Sequence, residues 1–106
     1  GEISPLAWTI LEPGVDAFMT VAEERVEPLM RRLAEGCDGD PSVVAGESGV
    51  AGLAGLEVVA SAPSLRSALR MGVDARVLAI VTEGATDPEA YERIVGRAPE
   101  EIASAN

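Results

Sequence analysis

The chain has 106 residues, 47% of them hydrophobic but only 3% aromatic, and a formal net charge of -10 at pH 7. That length fits one small domain with a modest core, built from Ala, Val, Leu and Ile rather than from rings. The charge and the lack of a basic stripe exclude nucleic acid as a partner, and no apolar run reaches the ~18 residues of a membrane span.

All eight basic residues are arginine, and the chain has neither lysine nor histidine. Without Lys there is no amine to form a Schiff base, and without His the usual general base near neutral pH is missing. A complete active site is therefore not expected, and no catalytic residue is assigned within this chain. Cys37 is the lone cysteine, which excludes an internal disulfide and a cysteine-rich zinc site and makes a reducing cytoplasm the expected location. The first residues, GEISPLAW, lack the basic n-region of a signal peptide. They start at Gly rather than Met, as expected of an excised piece or a processed product.

In chain order, SPLAWTILEPG carries a helix start and stop: Ser4 as cap, Pro5 at the first helical position and Gly14 as terminator. Residues 16–21, DAFMTV, read as a short buried strand. Thr20 and Glu23 have the spacing of a capping box, and Val26, Leu29, Met30 and Leu33 recur at three and four residues, predicting an amphipathic helix that tolerates Pro28 near its first turns. EGCDGDPS is a turn by composition. Val43 to Ala45 then predict a short strand, Gly46 to Ser48 a turn, and Gly49 to Ala60 a helix. SLRSALRMG reads as a short helix ended by Gly72. RVLAIVT, residues 76–82, is a continuous β-favouring run of the kind found in a strand covered on both faces. In GATDPEAYERIVG, Thr86 or Asp87 can cap, Pro88 opens the helix, Glu89 completes a Thr-x-x-Glu box and Gly96 ends it. Residues 97–106 read as a frayed tail.

Alternating strands and helices predict an α/β fold, a partial three-layer sandwich with a mainly parallel sheet, in a single partial domain over residues 1–106. Three strands are few for such a sheet, so it would continue into residues outside this chain. Ligands of open α/β sheets lie beyond the carboxyl ends of the strands. Two turns fall there: Gly46-Glu47-Ser48-Gly49, and Thr82-Glu83-Gly84 running on to Asp87. If their strands are neighbours, the turns line one crevice. A structural role stands beside this one, since Ser48 and Asp87 are ordinary helix caps, glycines at 46, 49, 52 and 55 permit close packing, and a carboxylate at Glu47 suits a helix N-terminus.

Other residues carry less. Asp38 and Asp40 lack the further oxygen ligands of a calcium loop, so no metal is assigned. Cys37 has no basic neighbour in sequence to lower its thiol pKa. EERVEPLMRR mixes signs as a solvated helix face does, and neither phosphate-cradling glycine pattern is present.

The order strand, helix, GESGVAGLAGL, then RVLAIVTEG resembles the C-terminal part of the large domain of fold-type II (tryptophan synthase β-like) pyridoxal-phosphate enzymes, the superfamily of threonine and serine dehydratases. GEISPLAWTILEPGVDAFMTV and TEGATDPEAYERIVG are similar to its diaminopropionate ammonia-lyase branch. The resemblance implies pyridoxal 5'-phosphate as cofactor and a small amino acid as substrate. Aligned on Gly84, Thr82 takes the place of the hydroxyl that bonds the pyridine nitrogen. Glu47 matches the acid of a turn facing the cofactor ring, and Ser48, Gly49, Glu83 and Gly84 belong to the same wall. The Schiff-base lysine, phosphate loop and catalytic aspartates of that family lie in the preceding part of the enzyme and have no counterpart here. The implied partners are the remainder of the same polypeptide and a second copy in a homodimer. The implied activity is elimination of ammonia from diaminopropionate by the whole enzyme, with the isolated chain inactive. A threonine or serine dehydratase fragment, or a non-catalytic α/β interaction module, are the alternatives.

Overall fold

The computed structural model describes residues 2–105. Local signals set most of its helices. In α1 (Pro5–Gly14) Ser4 accepts a hydrogen bond from the Ala7 amide at 3.3 Å and Pro5 supplies the first turn. The helix closes when the Val15 amide donates to the Leu11 carbonyl at 3.0 Å, with no left-handed residue at Gly14. α1 buries none of its residues, and Trp8 meets Phe18 with ring centroids 5.9 Å apart.

A 3-10 turn over Glu23–Arg25 leads into α2 (Val26–Glu35). The Thr20 capping box does not form, because the turn starts from Ala22 with no side-chain cap. Leu29, Met30 and Ala34 are buried on one face of α2. Pro28 is its third residue, where an amide has no intrahelical partner to lose. Arg31 and Glu27 stand 3.9 Å apart, a pair open enough to solvent to carry little energetic weight. α3 (Ala51–Ala60) starts two residues later than the sequence predicts. α4 (Pro63–Ala68) stops before Gly72, and Arg70 rather than a glycine takes the left-handed conformation. α5 (Pro88–Val95) follows its signals closely: Asp87 accepts from the Ala90 amide at 3.0 Å, and Gly96 ends the helix at φ 88°.

α2 contacts both α3 and α5, while α4 packs on α3 and α6 (Pro99–Ser104) on α5. Their shared core holds Leu29, Met30, Ala34, Ala45, Val50, Ala54, Tyr91 and Ile102. Residues 97–106, read as a frayed tail, thus contain a helix whose Ile102 is fully buried.

The expected sheet is not there. Among the described residues the chain forms helices and irregular segments and no strand, so the partial three-layer sandwich with a mainly parallel sheet is corrected to an all-helical arrangement. The runs at 16–21, 43–45 and 76–82 are not strands. Parallel pairing needs an evenly spaced series of backbone bonds, and what joins the 43–46 segment to the run after 76 is one, from the Gly46 amide to the Glu83 carbonyl at 2.8 Å. β-branched residues favour a strand mainly through packing against neighbours. Here Val77, Leu78 and Ile80 are all exposed, so nothing fixes the run as a strand.

Truncating Ile102 to Ala is expected to cost about 2 to 5 kcal/mol, the usual range for a fully buried aliphatic side chain. Urea denaturation checks this, and an unchanged midpoint would show that α6 contributes nothing to the core.

Candidate functional site

The two turns singled out in the sequence come together. Gly46 and Gly49 are both buried, and the Gly46 amide bonds the Glu83 carbonyl. The approach is so close that side chains are excluded. A Cβ on Gly46 would collide with the Glu83 carboxylate and the Gly84 carbonyl, and one on Gly49 would lie 2.5 Å from the Glu83 carbonyl and 3.1 Å from Val81 Cγ1. The glycines are therefore required by contact between two backbones, whatever ligand the turns meet.

Between the turns is a cavity of about 30 Å³, bordered by Gly46, Glu47, Glu83, Gly84, Met30 and Tyr91. Glu47 also borders a groove of about 400 Å³ with Glu23, Val26, Glu27 and Ser48. Neither Glu47 nor Ser48 caps α3, which starts from Val50 without a side-chain hydrogen bond. Both are exposed. Asp87, by contrast, is committed to capping α5. Thr82 is exposed and stands outside the small cavity. The structure thus brings Glu47, Glu83 and Gly84 onto one cavity and leaves Thr82 and Ser48 on the surface nearby in sequence.

Met30, expected only on the buried face of α2, and Tyr91 also border this cavity. The available signal for Tyr91 is its spacing from Asp87: one helical turn after the cap, it lies under the turn that the cap ends. Tyr91 is 2% exposed and its hydroxyl has no hydrogen-bond partner among the described residues. Burial pushes its phenol above the ordinary value of 10.0, with the Arg97 charge acting in the opposite direction to a lesser extent.

Among the described residues no group of three or more His, Cys, Asp or Glu side chains is placed to hold a metal ion, and no helix is long and apolar enough to cross a membrane. Cys37 is a half-buried free thiol.

Diaminopropionate ammonia-lyases from three Escherichia coli strains, K12, O6:H1 and O157:H7, are each 38% identical to the chain over 98 residues, a stretch covering 90% of this chain and 25% of each relative. The chain is similar to part of that enzyme and spans about a quarter of the length of the curated relatives it matches. No family model matches it. No solved structure matches it either.

The pyridoxal phosphate that the sequence resemblance implies fits this surface only along one side. The small cavity is bordered by Glu47, Glu83 and Asp87 and by no basic side chain, so it brings no positive charge to a phosphate. The chain also has no lysine to hold the group. What it offers is an accessible hydroxyl at Thr82 and an accessible carboxylate at Glu47, on turns whose backbones are fixed against each other.

Two outcomes test the joint. Gly46→Ala is expected to lower stability by about 1 to 3 kcal/mol through overpacking at the turn contact, read as a drop in thermal midpoint. For Tyr91, a folded-state pKa above the unfolded value means that the folded chain holds its proton longer as pH rises. Stability is then independent of this group below about pH 10 and falls as pH climbs through the raised pKa. Denaturation across that range should show the decline in the wild type and a smaller one in Tyr91→Phe.

Proposed function

We propose that the chain is the cofactor-facing C-terminal part of a pyridoxal-phosphate-dependent carbon-nitrogen lyase. Within that class the enzyme is a diaminopropionate ammonia-lyase, converting 2,3-diaminopropionate to pyruvate and ammonia. The observation that carries the reading is 38% identity across nine-tenths of the chain to proteins of that name. The contact between the Gly46–Gly49 turn and Glu83 supports it, because it brings Glu47, Glu83 and Gly84 onto one cavity, with Thr82 adjoining in sequence.

When bound, pyridoxal phosphate supplies the electron sink that stabilises negative charge next to the substrate's amino-bearing carbon. The part of this chain is to hold and orient. The Thr82 hydroxyl would donate a hydrogen bond to the pyridine nitrogen, and as a neutral partner it would leave that nitrogen largely unprotonated. Glu47 and Ser48 line the same wall, while Gly49, Glu83 and Gly84 fix its backbone. Proton transfer belongs to residues of the longer polypeptide, since no lysine or histidine is present here. The isolated chain is inactive on this reading. The complete enzyme is a cytoplasmic homodimer acting on a free amino acid.

The test uses the full reading frame. Pyruvate and ammonia should be released from 2,3-diaminopropionate, and good turnover of threonine or serine without it would move the assignment to a dehydratase. Thr82→Ala should weaken cofactor binding about five- to tenfold, the loss of one hydrogen bond worth ~1 kcal/mol. Thr82→Asp should alter the cofactor absorbance spectrum by placing a charge against the ring nitrogen. An unchanged spectrum and affinity in both variants would remove Thr82 from the site.

A further inference from the structure

The face carrying Phe18, Met19, Val59, Leu65, Leu69 and Met71 plays no part in the joint between the turns. It contains a hollow of about 400 Å³ against Phe18, Met19, Val59, Leu65 and Leu69. A second, of about 260 Å³, shares Met19, Val59 and Leu69 and reaches Met71. No Asp, Glu or Arg lines either hollow, in a chain where 25% of residues are charged. Phe18 is 64% and Met19 48% exposed. Met19 already lies against α3, with its sulfur 3.2 Å from where a Cβ on Gly55 would stand, so the side chain is seated rather than free in solvent. A contiguous apolar patch of this kind marks an interaction surface. Its lining offers nothing to a phosphate or an amino-acid substrate, both of which carry charge that needs a partner.

We propose that this face is covered by an apolar segment of the same polypeptide lying outside residues 1–106. The share of its relatives' length that the chain covers chooses that occupant over a second copy: about a quarter is present, so three quarters of such an enzyme lies elsewhere. The chain also exposes far more large apolar side chains than it buries, Leu65 and Leu69 among them. Their cover has to be apolar and close at hand. This inference rests on the reading of the chain as part of a longer enzyme and not on the reaction assigned to it.

Methionine oxidation in the full-length protein tests it. Met30 is the internal reference, because this chain buries it to 1% exposure by itself. With hydrogen peroxide as probe and peptide mass spectrometry as readout, a covered Met19 oxidises as slowly as Met30, and both more slowly than in urea. The protection should be the same at high and low protein concentration. Oxidation of Met19 much faster than Met30 at every concentration overturns the proposal. Protection that disappears on dilution also overturns it and assigns the face to a second copy. The measurement needs no turnover, so failure of the lyase assignment and failure of this one are separate results.

Discussion

The approach of two backbones without intervening side chains is the constraint on which the arrangement of the candidate site depends. At Gly46 and Gly49 the chain comes so near to Glu83 and Gly84 that even a methyl group would displace one segment. The bond from the Gly46 amide to the Glu83 carbonyl then fixes their relative position. On one side of this joint α3 departs toward α2 and α4; on the other, Asp87 starts α5, which also packs on α2. α2 therefore forms a common floor for the helices that the two turns launch. Its buried Met30 reaches the small cavity between the turns, and Tyr91 of α5 borders the same space.

Legibility in the sequence followed how local the cause was. Ser4, Asp87 and Gly96 act through bonds or dihedrals within a few residues of themselves, and each does what its residue type and spacing predict. The three- and four-residue recurrence from Val26 to Leu33 also sufficed, since it needs only one buried face. The strand readings failed for the opposite reason. A run such as RVLAIVT states that its side chains tolerate burial, and a strand exists only when other backbones pair with it. Thr20 illustrates a smaller miss: the spacing of a capping box was present, but the turn began two residues later.

The candidate site divides in the same way. The two turns were singled out as the carboxyl ends of two strands that would have to be neighbours, and they do meet although no strand forms among the described residues. That the glycines are demanded by a backbone contact, and that Glu47 is released from any capping duty, required coordinates. Tyr91 was hidden because an aromatic residue in an amphipathic helix looks like any other core residue until the neighbouring turn is placed above it. Composition had already set the outer limit on chemistry: a chain without lysine or histidine can shape and orient a reaction but lacks the usual groups for moving its protons.

α1, α4, α5 and α6 each begin with a proline, and α4 and α6 are only six residues long. Helices so short are not sustained by intrinsic propensity. The proline ring fixes φ near the helical value before folding begins, so the denatured chain has fewer conformations to surrender at each of these starts. Part of what keeps the short helices formed therefore resides in the restricted freedom of the unfolded state, where no map of folded contacts records it.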